Sequence, residues 1–235
     1  MKRLLFVLTI ILLTSLNSAA TGRTLIAASN MMHPPFSSWD ADGKAVGIEV
    51  DIVERAAREL GFRVKWVERP FSELLGAIEN GEIDIAVSTI GITEQRKKRV
   101  AFSKTYFETQ IVALVRNDEL SPRSLADLVH SRIGADEATT SYPAAHSQWP
   151  SATLIGKVHD GMTWPQMVDR KLIDAFVVDA SDQERLEAAS GVTLFKIGQP
   201  LSAEYFGVAM ALGEDDLRAA IDRAIGSAIR YNTAN

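Results

Sequence analysis

The chain has 235 residues, with 25 Lys and Arg against 30 Asp and Glu, which gives a formal net charge of −5. Hydrophobic residues make up 46% and charged residues 23%, a composition that excludes a disordered tail. Because Cys is 0, disulfide scaffolds, thiolate metal sites and cysteine nucleophiles are excluded as well. An acidic chain is also a poor partner for nucleic acid, since that binding depends on Lys and Arg at the phosphates.

The first twenty residues have the pattern of a secretory signal peptide. Lys2 and Arg3 precede an apolar run over residues 4–13, and small residues at 18–20 supply a cleavage site after Ala20. An uncleaved membrane anchor is the alternative, but the run is shorter than the roughly 20 apolar residues that a membrane span needs. We therefore predict a signal peptide over residues 1–20 and a mature chain that is exported to the periplasm.

The residues that follow alternate between strand and helix patterns. Strands are predicted at residues 25–29, 62–66 and 83–87. A turn is predicted at 40–43, and helices are predicted over about 50–60, ending at Gly61, and from an N-cap at Ser72 to Gly81. This alternation is typical of a parallel sheet flanked by helices.

The same alternation restarts after a polar loop at residues 117–123. The predicted strands are 132–135, 152–155, 175–178, 192–197 and 206–212, and the predicted helices are 164–170, 181–189 and 215–229. We therefore predict an α/β fold with two units and a cleft between them.

Open parallel sheets bind ligands at the carboxyl ends of their strands. Two charged residues, Arg96 and Asp179, come after the carboxyl ends of predicted strands. Thr93 is the predicted cap of a short helix with Arg96 at its third position, where the helix dipole favours an acid. Two interpretations of Arg96 stay open. It is either a solvated charge in the basic run 96–99 or an anion-binding group in the cleft. Asp179 either caps the next helix or, if Ser181 is the cap, is free to bind a cation. The two residues together would bind a zwitterion.

The sequence gives no pattern for a metal or cofactor. The four histidines are scattered without metal-ligand spacing, and there is neither a glycine-rich phosphate loop nor a G-x-S-x-G nucleophile motif.

Several motifs resemble the bacterial extracellular solute-binding proteins of family 3, the polar amino-acid-binding proteins of ABC transporters. In the first unit they are PPF at residues 34–36, DGKAVGIEVD at 42–51, GEID at 81–84, ITEQRKK at 92–98 and FS at 102–103. The second unit matches more loosely, through SLADL at 124–128, IDA at 173–175 with Asp179, and FGVA at 206–209.

The resemblance implies a type II periplasmic-binding-protein fold, in which two lobes close on the ligand. Each lobe would be a mostly parallel sheet flanked by helices, and two hinge strands would cross between the lobes near residues 112–115 and 201–206. Residues 21–113 and 205–235 would form lobe 1, and residues 114–204 would form lobe 2. The helix at 215–229 would pack back on lobe 1.

The resemblance also implies the ligand contacts. Arg96 would bind the α-carboxylate of the ligand and Asp179 its α-ammonium group. The other expected contacts are Ser88, Thr89, Gly91, Thr139, Thr140, Asn30, His33, Phe71 and Asp136. Gly91 departs from the family pattern, because many members have Ser or Thr there, so one hydroxyl for the carboxylate is missing.

The resulting prediction is a monomeric periplasmic binding protein and not an enzyme. It would capture a small amino acid or related zwitterion and deliver it to a membrane ABC permease, without a cofactor and without nucleic acid as a partner. Two alternatives stay open, namely a sensory or accessory binding protein and a cyclohexadienyl-dehydratase-like enzyme on the same fold.

Overall fold

The computed structural model describes residues 22–159 and 161–232. The predicted signal peptide at residues 1–20 lies outside the described residues. Within the described part of the chain, every helix is too short or too polar to cross a bilayer.

The described chain alternates short strands and helices. The strands β1–β13 are, in order, Thr24–Ser29, Met32–His33, Ser37–Trp39, Ala45–Val46, Arg63–Glu68, Ile85–Ala86, Ala101–Phe102, Phe107–Arg116, Arg132–Gly134, Thr153–Ile155, Ala175–Asp179, Leu194–Phe206 and Ala209–Met210. The α-helices α1–α7 are Ile48–Glu59, Leu74–Glu79, Glu94–Lys97, Ser141–Gln148, Trp164–Asp169, Gln183–Ser190 and Asp215–Asn232. Short 3₁₀ helices lie at Phe71–Glu73, Leu125–Leu128 and Ala180–Asp182.

The first sheet has the strand order β5-β1-β6-β13-β7. Strands β5, β1 and β6 are parallel, whereas β13 runs antiparallel to both β6 and β7. Val53 and Ala57 of α1 and Leu217 and Ile221 of α7 are buried in one apolar cluster with residues of this sheet. The last helix therefore packs on the first lobe, as expected from the resemblance.

The second sheet has the order β10-β9-β11-β8-β12. Strands β10, β9 and β11 are parallel, and β8 runs antiparallel to both β11 and β12. Alternate residues of β8 point to opposite faces. Ile111 and Ala113 pack with Trp149 on one face, and Val112 and Leu114 pack on the other. The mixed α/β architecture with two lobes confirms the predicted fold class.

The long strands β8 and β12 connect the two apolar cores. At one end, Phe107 pairs with Phe206, and their rings stack with centroids 5.9 Å apart against the first core. At the other end, residues 111–115 are buried in the second core. Residues 112–115, where the resemblance implied a crossing, therefore lie within the second core. The lobe boundaries at 113/114 and 204/205 stay a prediction.

The ends of some elements differ from the prediction. Ser72 lies inside the 3₁₀ helix that follows Pro70 and is not a helix cap. The predicted strand 206–212 is divided, because Phe206 ends β12 and only Ala209–Met210 forms β13. Ser181 lies inside a 3₁₀ helix whose N-terminal neighbour is Asp179, and the Asp179 side chain makes no capping hydrogen bond there.

Candidate functional site

A cavity of about 190 Å³ lies between the two sheets. It is smaller than the roughly 300–1,000 Å³ of pockets that take drug-sized ligands. The first lobe lines it with Asn30, His33, Phe71, Thr89, Gly91 and Arg96, and the second with Asp136, Thr139, Thr140 and Asp179. Of the predicted site residues, only Ser88 is not among those that line the cavity.

Arg96 lies at the third position of α3, and the contacts of its guanidinium explain a location that the helix dipole disfavours. The backbone N–H of Arg96 donates to the capping hydroxyl of Thr93 at 3.1 Å. The guanidinium donates to the carbonyl of Gly91 at 2.8 Å and to that of Ala138, on the other lobe, at 3.1 Å. It also lies 5.7 Å from the centroid of the Phe71 ring. Arg96 is thus a cleft residue, whereas residues 97–99 of the same basic run are exposed.

Asp179 lies at the carboxyl end of β11, and part of its carboxyl group has no partner. The Oδ1 atom is buried and has no hydrogen-bond partner among the residues that the structure describes. Burial, together with the nearby acids Glu204 and Asp182, raises the pKa of Asp179 to about 8, although Arg96 opposes the shift. A cation next to this carboxylate would supply the missing partner.

Glu204 of β12 is a buried residue beside the cavity that the sequence analysis did not identify. It is 6% exposed, and its Oε1 atom accepts a hydrogen bond of 2.8 Å from the hydroxyl of Thr140. Burial raises its pKa, while Thr140 and Arg96 lower it. Since side chains two residues apart share a face of a strand, the inward Phe206 was a signal that Glu204 points inward too.

The loop at Ser88 and Thr89 has an unusual backbone that a buried carboxylate stabilises. Both residues have positive φ angles, 152° and 49°. Their N–H groups donate to Oε1 of Glu49, at 3.1 Å for Ser88 and 2.7 Å for Thr89. Glu49 also accepts from Ser37 at 2.6 Å and from the hydroxyl of Tyr106. The loop N–H groups therefore face Glu49, and the first turn of α1 fixes the loop that carries Thr89 to the cavity.

His33 and Asn30 line the cavity from the first lobe. The Nδ1 atom of His33 is 3.0 Å from Oδ1 of Asn30, and its Nε2 atom is 3.9 Å from a carboxylate oxygen of Asp182 on the other lobe. Burial lowers the pKa of His33, Asp182 raises it and Arg185 lowers it. Arg185 in turn pairs with Asp182 at 3.1 Å. Asp182, Arg185 and Trp164 also line the cavity, and the sequence analysis did not identify them.

The chemistry of this cavity is that of a binding site for a small charged molecule. A guanidinium and an incompletely bonded carboxylate face it from different lobes. Among the described residues, no group of three or more His, Asp or Glu side chains is arranged to hold a metal ion.

Comparison with known proteins decides the family. The sequence profile of the family described as bacterial extracellular solute-binding proteins, family 3, matches residues 25–234. The chain belongs to this family. The resemblance stated from the motifs is thereby confirmed.

Three relatives show how far the similarity extends. The L-cystine-binding protein TcyJ of Escherichia coli (strain K12) is 28% identical over 215 residues, covering 89% of this chain and 79% of TcyJ. The arginine-bound form of ArgBP from T. maritima has a TM-score of 0.73 at 29% identity, covering 87% of this chain and 95% of that one. The ancestral amino acid-binding protein AncCDT-1, a precursor of cyclohexadienyl dehydratase, has a TM-score of 0.75 at 26% identity, covering 89% and 91%.

Proposed function

We propose that this member of family 3 is a periplasmic binding protein that captures a small amino acid or related zwitterion and delivers it to an ABC permease. The observation that carries the proposal is that Arg96 and Asp179 face one small cavity from different lobes. Relatives named for cystine and arginine binding support the same class of ligand.

The two charged residues would orient the ligand. Arg96 binds the α-carboxylate, since a guanidinium matches the planar geometry of a carboxylate. Asp179 binds the α-ammonium group through the carboxylate whose Oδ1 atom lacks a partner. Thr89, Gly91, Thr139 and Thr140 lie on the carboxylate side, and Asn30, His33, Phe71 and Asp136 surround the side chain of the ligand. Ser88 acts indirectly, since its carbonyl accepts a hydrogen bond of 2.8 Å from the hydroxyl of Thr89.

Ligand capture would proceed by closure of the lobes. A ligand bound to both lobes stabilises the closed arrangement by its contacts across the cleft. Residues 21–113 and 205–235 form lobe 1, residues 114–204 form lobe 2, and the bend lies along β8 and β12. The signal peptide at residues 1–20 directs the monomeric chain to the periplasm, where the closed form meets the permease.

A thermal-shift panel of amino acids and related zwitterions tests the proposed function. A ligand at 100 times its dissociation constant adds about 2.7 kcal/mol to the free energy of unfolding. For a chain of this size, that corresponds to an increase in Tm of about 5–11 °C. If no amino acid or related zwitterion raises the Tm, the proposed function is wrong.

The variant Arg96→Ala tests the carboxylate contact. We expect its affinity for the ligand to fall about a hundredfold, or about 2.8 kcal/mol, because the charged hydrogen bonds to the carboxylate are lost. The matched control is Arg99→Ala, which removes an exposed arginine of the same basic run that pairs with Glu79. Calorimetry should find parent-like affinity for the control. Parent-like affinity for Arg96→Ala would contradict the assignment.

The enzyme and sensory alternatives have direct tests. Incubation of the purified protein with prephenate or arogenate, followed by product analysis, tests for dehydratase activity. Uptake of the ligand by cells with and without the gene distinguishes transport from sensing, because only a transport protein is required for uptake.

A further inference from the structure

The carboxyl group of Glu204 occupies the space that a side chain at position 91 would need. A Cβ atom at Gly91 would lie 1.7 Å from Oε1 of Glu204, so any larger residue there requires Glu204 to move. The departure from Ser or Thr at position 91 therefore has a physical reason. In this chain, the space beside Gly91 is filled by an acidic group from β12.

The protein itself uses part of the bonding capacity of the predicted carboxylate subsite. The hydroxyl of Thr140 donates to Glu204. Each terminal nitrogen of the Arg96 guanidinium donates to a main-chain carbonyl, one on each lobe. A ligand carboxylate would thus share Arg96 with two carbonyls and would have a like charge close by.

The charges around the cleft favour a cation over a neutral zwitterion. Glu204 on β12 is close enough to interact electrostatically with Arg96 on α3 and with Asp179 on β11. Asp182 interacts with Asp179 in the same way. Arg185 is already paired with Asp182. Even with Asp179 protonated in the ligand-free protein, the acidic side chains of Asp136, Asp182 and Glu204 outnumber the two guanidinium groups. Asp179 adds a further negative charge when a bound ammonium group ionises it. A ligand without net charge leaves this imbalance as it is, whereas a net positive ligand reduces it.

We propose that Glu204, accommodated by Gly91, is a specificity-determining residue that selects ligands with a net positive charge, namely amino acids with an amine or guanidine side chain. The inference rests on the proposed function, since it concerns the ligand class of the same cavity. Specificity here is a difference between two affinities, and Glu204 acts on that difference.

Pairs of ligands that have similar shapes and differ in side-chain charge test the inference. L-arginine is compared with L-citrulline, and L-lysine with L-norleucine, by calorimetry on the mature full-length protein. We expect the charged member of the preferred pair to bind the parent about a hundredfold more tightly than the neutral one. In Glu204→Gln this ratio should fall by about tenfold, because the amide keeps the shape and the acceptor for Thr140 but removes the charge.

Two further variants separate the role of Glu204 from general effects. Glu119→Gln removes an exposed acid in the loop 117–123 and should keep the parent ratio. The double variant Gly91→Ser, Glu204→Ala restores the hydroxyl, clears the space and should also lower the ratio, even if Glu204→Gln folds poorly.

The outcomes distinguish this inference from the proposed function. If neutral amino acids bind the parent as tightly as charged ones, or if the ratio is unchanged in both Glu204 variants, the inference is wrong and the proposed function stands. If none of the four ligands binds but the thermal-shift panel identifies a ligand without net positive charge, the inference alone is wrong; if that panel identifies no ligand either, both are wrong.

Discussion

At the residue scale, the groups expected to bind the ligand are those that local structure alone does not explain. A helix of the size of α3 would be more stable with an acid at its third position, yet Arg96 is there and contacts both lobes. Asp179 precedes a 3₁₀ helix without capping it, and one of its buried oxygen atoms has no partner in the described chain. Both departures are explained if the bound ligand places an anionic group next to Arg96 and a cationic group next to Asp179.

The first prediction concerns protons released from Asp179 on binding. Its pKa of about 8 means that the carboxyl is largely protonated at neutral pH in the ligand-free protein. A bound ammonium group favours the ionised form and lowers this pKa. We therefore expect binding at pH 7 to release protons and the affinity to rise with pH up to about pH 8. Calorimetry in two buffers of different ionisation enthalpy measures the release.

Asp179→Asn is the control for this prediction, since an amide cannot titrate, and it should bind more weakly without the release. The sign for stability follows from the same pKa. Because the folded state holds this proton more tightly than the unfolded chain does, the free energy of unfolding of the ligand-free parent should fall as pH rises from about 4 to 8. The variant should show a flatter profile. Proton uptake by the parent would contradict the assignment.

At the element scale, the sequence predicted the elements with strong periodicity and missed those fixed by distant contacts. Helix α1 and strands β1, β5 and β11 lie close to the predicted ranges. The two-residue strands and the 3₁₀ helices have no period to detect. Glu204 was missed because its role depends on Gly91 and Thr140, which are far away in the sequence. The family resemblance supplied the positions of most residues that line the cavity, but not the chemistry of Glu204.

The second prediction tests how α1 supports the binding loop. Glu49→Ala leaves the N–H groups of Ser88 and Thr89 without their acceptor, so we expect the free energy of unfolding to fall by about 3 kcal/mol. Ligand affinity should fall about tenfold, because Thr89 loses its fixed position. Chemical denaturation and calorimetry measure the two effects.

The matched variant is Glu49→Gln, which can keep a carbonyl oxygen in the position of Oε1 and donate from its amide to Ser37. Its stability should stay within about 1 kcal/mol of the parent. Equal losses in the two variants would show that the loop needs the charge of Glu49 rather than its hydrogen-bond acceptor, and would contradict this prediction.

At the scale of the whole molecule, two apolar cores are joined by β8 and β12 with the cavity between them. Because both lobes line the cavity, a ligand contributes contacts to each and stabilises the closed arrangement. The absence of cysteine, which excluded several chemistries, also makes labelling simple, since any introduced pair is unique in the chain.

The third prediction measures closure with fluorescent labels on two introduced cysteines. Arg58→Cys on α1 and Ser147→Cys on α4 place exposed labels on different lobes. At a ligand concentration about ten times the parent Kd, about nine-tenths of the molecules should move to a state with a shorter distance between labels. With Arg96→Ala added, the same concentration should move only about a tenth, because the affinity is about a hundredfold lower. A distance distribution that does not change at saturating ligand would mean that binding does not close the lobes.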